Sequence, residues 1–343
     1  MRGSTTNGSR SGDRVRALTI ERPGSARVGS VPDPVPGPGE VLIRVAACGI
    51  CGTDLHIYEG SYMGSYPVVP GHEFAGTVEA VGERVSRISV GERVAVEPNL
   101  PCNNCAACLN NRQNFCENWR AIGVTLPGAM AELVVVPESA AFSVGDLDFE
   151  AASFVEPLSC VLHGVGKLSV EPGASAAIIG AGPIGLLLAR ALLACGVTSI
   201  DVAERSSARR EFAASSSARA VADASELESE RYDIVADATG APQAMAAALS
   251  LARPGGQVLW FGVPETSARL EIEPVPVFRK GLSIHGSFTS VRNSIQAVEL
   301  LASGAVPVGD LVTHRVSLDE VEGALQALAQ RSLDARKVLV LPA

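Results

Sequence analysis

Residues 174–197 read ASAAIIGAGPIGLLLARALLACGV, and this stretch decides the fold. An apolar run of strand length leads into a G-x-G-x-x-G turn, and an apolar segment of helical length follows. Glycines in such a turn let the backbone approach a pyrophosphate, which then lies on the helix N-terminus. The strand, turn and helix therefore predict the first unit of a dinucleotide-binding domain. Its predicted cofactor-binding positions are Gly180, Gly182, Pro183, Ile184 and Gly185.

Residues at the end of the next predicted strand decide between NAD and NADP. Glu204 stands nineteen residues after Gly185, where an acidic side chain can accept hydrogen bonds from the ribose hydroxyls of NAD. Arg205 and Arg209 follow, and either could meet the 2′-phosphate of NADP. The pattern favours NAD and leaves NADP as the alternative.

The secondary-structure pattern predicted for the rest of the chain differs on the two sides of this stretch. Residues from about 174 to 262 alternate short β-rich runs with helical segments, which is typical of a doubly wound parallel sheet. Residues 15–136 instead carry short β-runs separated by Pro/Gly turns. After about residue 288 we expect two amphipathic helices and a final strand, KVLVL. The second helix should open with a capping box of Ser317 and Glu320 and should bury Val321, Leu325 and Leu328.

A polar loop at about 100–117 contains four cysteines in the spacing C-x2-C-x2-C-x7-C. Four thiolates at this spacing can enclose a tetrahedral Zn²⁺ without another ligand, which is typical of a structural zinc site. A zinc knuckle for nucleic acid is the alternative, but the loop holds one arginine and no lysine. The predicted ligands are Cys102, Cys105, Cys108 and Cys116.

A second metal site is predicted from separated segments. Cys51 in GICGTDLH offers a soft thiolate, VPGHEF offers His72 and Glu73, and FVEPLS offers Glu156. One sulfur, one nitrogen and one or two oxygens suit a Zn²⁺ that keeps a position open for water or substrate. We therefore expect two zinc ions per chain.

Composition excludes several other classes of protein. The 343 residues are 47% hydrophobic and 19% charged, enough apolar material for about two domain cores. A net charge of −9 gives no electrostatic basis for binding nucleic acid or an anionic membrane. Residues 1–13 contain no apolar run, so we expect a disordered tail and not a signal peptide. Eight cysteines without an export signal favour a cytoplasmic location.

The order of these motifs resembles the zinc-dependent medium-chain dehydrogenases. GICGTDLH, PGHEFAGTVEAVG, the four-cysteine loop and GAGPIG carry the resemblance, and VEPLS is similar to the sorbitol branch of the polyol dehydrogenases. The resemblance implies an α/β protein with a GroES-like β-rich catalytic domain and a Rossmann domain. The implied boundaries are 14–156 together with 289–343 for the catalytic domain, and 157–288 for the Rossmann domain. It also implies a small-molecule alcohol or polyol substrate and a homo-oligomer, either dimer or tetramer.

The resemblance also implies roles for individual residues. Cys51, His72 and Glu73 match zinc ligands, and Glu156 matches a fourth ligand that binds directly or through water. Thr53 matches the hydroxyl that takes the proton from the substrate alcohol, and His56 matches the solvent end of that relay. Asp54 matches the acid beside the zinc site.

Some positions depart from the sorbitol pattern. Thr289 and Ser290 stand where an arginine usually holds the polyol, which puts sorbitol itself in doubt, although Arg292 could substitute. Dehydrogenases for threonine or an aminocyclitol remain the alternative enzymes, and a nucleotide-binding redox sensor is the non-enzymatic one. The three remaining cysteines are expected to be small buried hydrophobes: Cys48, Cys160 and Cys195.

Overall fold

The computed structural model describes residues 15–62, 64–215 and 219–342 of the chain. The predicted disordered tail at residues 1–13 lies outside this described part. Among the described residues, no helix has the length and apolar character needed to cross a bilayer.

The N-terminal part of the chain is rich in short strands, as the Pro/Gly spacing predicts. Its strands are β1 (Val15–Arg22), β2 (Ser25–Val31), β3 (Glu40–Gly49), β4 (Glu73–Val81), β5 (Arg93–Val96), β6 (Asn99–Leu100), β7 (Arg120–Ala121), β8 (Leu133–Pro137) and β9 (Ala141–Ser143). Its helices are α1 (Gly52–Glu59), α2 (Ala106–Leu109), α3 (Phe149–Ala152) and α4 (Val155–Val165).

The middle of the chain alternates strands with helices. The strands are β10 (Ser175–Ile179), β11 (Ser199–Ala203), β12 (Arg219–Val221), β13 (Tyr232–Asp237), β14 (Ala252–Trp260) and β15 (Ser283–Gly286). The helices are α5 (Pro183–Ala194), α6 (Ser207–Ala214), α7 (Pro242–Leu251) and α8 (Pro274–Lys280). The chain then forms α9 (Ser294–Ala302), β16 (Val312–Ser317), α10 (Val321–Ala329) and β17 (Lys337–Leu341).

The middle strands form one parallel sheet in the order β12-β11-β10-β13-β14-β15. This is the doubly wound order in which a dinucleotide binds at the carboxyl ends of the strands where the winding direction reverses. Strand β10 lies at that reversal and is buried on both faces. Ala176 and Ile178 enter one apolar cluster, whereas Ala177 and Ile179 enter the other. Burial on both faces explains why the strand has a continuous apolar run and no alternation.

Strands from the two ends of the chain share a second sheet. Its order is β16-β17-β3-β4-β5-β9, with β8 also paired to β3. Strand β17 pairs with the end of β3, where Leu339 lies opposite Gly49 and Val340 opposite Cys48. The last strand of the chain therefore lies beside the segment that carries Cys51. The exact domain boundaries stay a prediction.

Two local expectations need correction. Strand β16 includes Ser317, whose backbone N–H and hydroxyl both donate to the Glu320 carboxylate, at 2.8 and 2.7 Å. Because the hydroxyl donates, it does not cap the helix, and α10 begins after Glu320. The predicted capping box is therefore only half formed, although Val321 and Leu325 are buried and Leu328 packs against the core as expected. Cys195 is exposed at the end of α5 and not buried.

A buried hydrogen bond links β11 and β13, the two strands that flank β10. The Tyr232 hydroxyl on β13 donates to the Asp201 carboxylate on β11 at 2.7 Å, and both residues are buried. Burial and this hydrogen bond raise the pKa of Tyr232, so the phenol stays protonated. The pair satisfies a carboxylate in the interior of the sheet.

We expect Tyr232→Phe to destabilise the protein by about 1–3 kcal/mol, because it leaves the buried Asp201 carboxylate without its donor. The measurement is the midpoint of urea unfolding followed by circular dichroism. Tyr58→Phe is the matched control, since that hydroxyl is exposed and donates only to the Gly24 carbonyl at 3.2 Å. Equal midpoints for the two variants would contradict this role of the Asp201 pair.

Candidate active site

Cys51 lies where the buried strand β3 gives way to helix α1. Asp54 is fully buried in the first turn of that helix, and its carboxylate accepts the Cys51 backbone N–H at 2.8 Å. This bond satisfies one of the free N–H groups that begin a helix. The turn therefore fixes the position of the Cys51 side chain.

The same carboxylate holds the segment that carries His72. Asp54 accepts the Gly71 backbone N–H at 3.1 Å, and its Oδ1 lies 3.5 Å from His72 Nδ1. Gly71 has φ 97°, and a Cβ there would collide with Cys48 Sγ and the Met130 backbone, so no other residue fits. Burial lowers the pKa of His72, but Asp54 and Cys51 more than offset it and raise the pKa well above its ordinary value.

Glu73 begins β4 and is paired with a lysine that the sequence analysis missed. Lys337, the first residue of β17, is buried and donates to the Glu73 carboxylate and to the Ile50 carbonyl, the latter at 3.1 Å. Burial lowers the pKa of Lys337, but the Glu73 carboxylate and Cys51 outweigh it and raise the pKa. A lysine heading the apolar run KVLVL was the available signal, because a buried cation needs a buried partner.

Three of the four predicted ligands of the open site come together. Single ligand atoms of Cys51, His72 and Glu73 lie within 4.8 Å of one another. Among the described residues, Glu156 is not part of this group. It stands in the first turn of α4, is buried, and accepts a hydrogen bond from Cys160 Sγ at 3.4 Å. Burial, helped by Glu73 and Glu97 and opposed by His72, raises the pKa of Glu156 to about 8.

Glu97 was not predicted, and it joins the end of β5 to the segment at the start of α9. Its Oε2 accepts hydrogen bonds from the hydroxyls of Ser290 at 2.7 Å and Ser294 at 3.0 Å. Its Oε1 accepts the Asn99 side-chain amide at 2.6 Å. Ser290, singled out as a departure from the sorbitol pattern, is therefore buried against Glu97.

Thr289 and Arg292, also singled out in the sequence, differ from Ser290 in backbone conformation and in hydrogen bonding. Thr289 has φ 50°, which strains a β-branched residue, and its Oγ1 is buried without a hydrogen-bond partner. Arg292 also has positive φ, 58°, and is exposed. The segment after β15 therefore presents a neutral hydroxyl at the position where the sorbitol pattern has an arginine.

Thr53 and His56 lie three residues apart on α1, so their side chains share one face of the helix. Thr53 is half-buried, and the His56 side chain is 41% exposed. His56 Nδ1 lies 3.2 Å from Ser61 Oγ and 3.8 Å from the Glu59 carboxylate. The helix thus leads from the Cys51 group to the surface.

The four loop cysteines form a second group, again within 4.8 Å of one another. Asn103 takes φ 54° between the first two, which lets the chain turn back on itself. Backbone N–H groups point at the sulfurs, as from Cys105 to Cys102 Sγ at 3.3 Å. Hydrogen bonds from the Asn104 and Cys105 backbone lower the pKa of Cys102 to about 6, which favours the thiolate.

The glycine turn has the predicted geometry. Gly180 takes φ 101°, and a Cβ on Gly185 would collide with the Gly180 carbonyl. Gly182 caps α5, Pro183 opens it and Ile184 follows in its first turn. The Glu204 carboxylate accepts the Ala181 backbone N–H at 2.8 Å, so it lies directly against this turn.

The two arginines after Glu204 have different surroundings. Arg209 donates to the Asp334 carboxylate at 3.2 Å and to the Ala335 carbonyl at 3.0 Å, which ties α6 to the segment before β17. Arg205 is exposed. Arg209 would have to break its contacts with Asp334 and Ala335 to bind a 2′-phosphate, whereas the exposed Arg205 would not.

Comparison with known proteins gives matches along nearly the whole chain. Residues 37–146 match the alcohol dehydrogenase GroES-like domain, and residues 183–303 match the zinc-binding dehydrogenase family. D-arabinitol dehydrogenase 1 of Uromyces fabae is 33% identical over 96% of this chain and 97% of its own length. D-altritol 5-dehydrogenase of Agrobacterium fabrum is 36% identical over 90% of this chain and 94% of its own length.

A solved structure agrees over the same extent. It is described as a putative zinc-binding dehydrogenase from Sinorhizobium meliloti 1021 bound to NADP. It superposes with a TM-score of 0.93 at 34% identity, covering 96% of this chain and 100% of that one.

The chain belongs to the zinc-dependent medium-chain dehydrogenases. The predicted family, the fold class with a GroES-like and a Rossmann part, and the dehydrogenase activity on an alcohol are thereby confirmed. The redox-sensor alternative loses its basis. This dehydrogenase uses a nicotinamide cofactor and zinc.

The raised pKa of Glu156 gives this dehydrogenase a specific dependence on pH in its metal-free form. The protonated carboxyl contributes stability that is fully present below the ordinary pKa of 4.5 and is lost as pH rises toward about 8. We expect Glu156→Gln, which cannot ionise, to become more stable than the wild type across this window, by a few kcal/mol at its upper end.

The measurement is the thermal midpoint of both metal-free proteins at several pH values between about 5 and 8. Glu211→Gln, at an exposed position of α6, is the control and should follow the wild type. Parallel curves for Glu156→Gln and the wild type would contradict the buried, protonated carboxyl.

Proposed function

We propose that this dehydrogenase oxidises a secondary hydroxyl of a polyol or sugar-like substrate to a ketone with NAD, and catalyses the reverse reduction. The observation that carries the proposal is the group of Cys51, His72 and Glu73 on the catalytic sheet. The relatives named for D-arabinitol and D-altritol support a polyol substrate. The neutral hydroxyl of Thr289, in place of an arginine, favours a polyol other than sorbitol.

Two zinc ions per chain are part of the proposal. Sulfur, nitrogen and carboxylate oxygen within 4.8 Å of one another suit a Zn²⁺ with an open position. Cys51, His72 and Glu73 would be its ligands, with Glu156 holding a water beside it. Four sulfurs suit a closed structural site: Cys102, Cys105, Cys108 and Cys116.

The chain's own residues bind the substrate and move its proton. Bound zinc supplies a Lewis acid that lowers the pKa of the alcohol, and the nicotinamide supplies the hydride acceptor. Thr53 Oγ1 accepts the substrate's hydroxyl proton as it gives up its own, and His56, on the same helix face and open to solvent, delivers a proton to solvent. Asp54 holds His72 in one orientation. Lys337 neutralises Glu73 and so keeps the total negative charge of the site low.

The preference for NAD is assigned to Glu204. Its carboxylate lies at the turn that would receive the pyrophosphate, where it can accept hydrogen bonds from the adenosine ribose and repel a 2′-phosphate. Arg205 is the competing feature, and the related Sinorhizobium structure is described with NADP. Both cofactors therefore belong in the test.

A homo-oligomer in the cytoplasm completes the proposal. Among the described strands, β15 is the terminal strand of its sheet and has one unpaired edge. Helix α8, directly before it, exposes Phe278 and Val275 by 85% and 60%. Exposed apolar side chains beside a free sheet edge favour pairing with a second copy. Cysteines arranged as metal ligands suit a reducing compartment.

The activity is tested with zinc-loaded protein on a panel of pentitols, hexitols, L-threonine and an aminocyclitol, each with NAD and with NADP. We expect oxidation of one or more neutral polyols, with a higher kcat/KM for NAD. Turnover confined to L-threonine or the aminocyclitol would replace the polyol assignment, and a higher kcat/KM with NADP would overturn the role of Glu204.

Thr53→Val tests the proton path on whichever polyol is turned over. We expect kcat to fall about 10²-fold with cofactor affinity unchanged, since a positioned proton-transfer group contributes on this scale. The loss should shrink at higher pH, and Thr53→Ser should restore most of the rate. Thr198→Val, at an exposed position whose hydroxyl contacts only the Gly173 carbonyl, is the control. Full activity in Thr53→Val would rule out the relay.

Metal analysis tests the two zinc sites. We expect two zinc ions per chain in the wild type and in Cys195→Ser, whose cysteine is exposed and outside both groups. Cys51→Ser should lose one zinc and the activity while keeping its fold. Cys105→Ser should lose the other zinc and unfold more easily, because structural zinc contributes its binding energy to folding. A single zinc in fully active protein would contradict the assignment.

A further inference from the structure

A polar pocket lies outside the Cys51 group, where three segments of the chain meet. It has a volume of about 420 Å³. The segments are the cysteine loop, the C-terminal end of α4 and the chain just before α9. Their polar contributions are Asn111, Arg112, Asn114, His163, Lys167 and Asn293.

The charges around this pocket are of one sign. Arg112 and Lys167 both line it, and among the described lining residues none is acidic. Within the described part of the chain, neither of these two side chains has a hydrogen-bond or ion-pair partner. A chain with a net charge of −9 has many carboxylates available, so two unpaired cations on one cavity indicate a site for an anion.

His163 also lines this cavity. Its Nε2 is buried and has no hydrogen-bond partner. Burial and the neighbouring Lys167 lower the pKa of His163, so the imidazole is neutral near pH 7 and keeps one N–H to donate. An unpaired buried nitrogen costs free energy unless a ligand or water completes its hydrogen bond.

Three asparagine side chains also line the pocket. Asn111 and Asn293 both line it, but Asn293 Nδ2 already donates to Gln296 Oε1 at 3.4 Å, and the Asn114 amide donates to the Phe288 carbonyl at 3.1 Å. The C-terminal end of α4 contributes about half a negative charge, which the two cations outweigh. Donors that converge from several directions fit a tetrahedral oxyanion better than a planar carboxylate, and an arginine can bind two of its oxygens at once.

We propose that this pocket binds a phosphate group, either as inorganic phosphate or as the phosphate of a small metabolite. A bound dianion would join the cysteine loop, α4 and the segment after β15. Phe115 of the loop already stacks on Phe288 of that segment, with ring centroids 6.4 Å apart.

The test is isothermal titration of inorganic phosphate into the zinc-loaded enzyme in a low-salt, phosphate-free buffer. Saturating nicotinamide cofactor is present, so that the glycine turn after β10 is already filled. We expect saturable binding that weakens as sodium chloride is added. Arg112→Gln and Lys167→Gln should each weaken it roughly tenfold or more, the value of one charge-assisted hydrogen bond. Arg279→Gln, which removes an exposed cation on α8, is the control and should bind as the wild type does.

Two probes separate the sources of the phosphate. If a hexitol phosphate is turned over and Arg112→Gln raises its KM but not that of the unphosphorylated hexitol, the phosphate belongs to a substrate. If inorganic phosphate binds without such turnover, the site takes a free anion. Absence of saturable binding in the wild type, or equal binding in Arg112→Gln, Lys167→Gln and Arg279→Gln, would overturn the proposal.

Discussion

The burial of charge at one end of the catalytic sheet is the constraint on which the site depends. Asp54, Glu73 and Lys337 are all nearly inaccessible to solvent, and buried charges are tolerated only when each has partners. Asp54 is satisfied by two backbone N–H groups, and Lys337 by Glu73 and the Ile50 carbonyl. Because Lys337 comes from the last strand and Glu73 from the fourth, the charges are balanced only when β17 is in place.

The same constraint connects the catalytic sheet to the nucleotide-binding part. Arg190 on α5 donates through two nitrogens to Asp310, which precedes β16 of the catalytic sheet, each at 2.8 Å. Within the catalytic part, Glu97 accepts the hydroxyls of Ser290 and Ser294. These bonds join groups that are distant in the sequence. The segment that carries Ser290 and Ser294 is thus held beside Glu97.

Motifs with a regular spacing could be predicted from the sequence. Competition between neighbouring structural elements for the same residue could not. The glycine turn, the parallel sheet and the four-cysteine group follow from spacing that imposes its own geometry. The group of Cys51, His72 and Glu73 was predicted instead from separated segments and from the family resemblance. The short strands β12 and β15 carried too little apolar sequence to be recognised. The Ser317 capping box failed because its hydroxyl donates to Glu320 inside a strand, and Cys195 is exposed because α5 ends there. In each case a neighbouring element overrode a local signal.

By itself, the sequence determined the kind of chemistry: residue types and spacings that bind zinc and a dinucleotide, because coordination geometry and a tight glycine turn allow few alternatives. Only the tertiary structure decided which carboxylates are near the metal group and what charge they carry. Glu73 is paired with Lys337, Glu156 is set apart with a raised pKa, and Glu97 is taken up by serine hydroxyls. Burial and the proximity of distant segments determine these properties, because electrostatic interactions depend on distance in space and on exclusion of water, which a linear sequence does not specify.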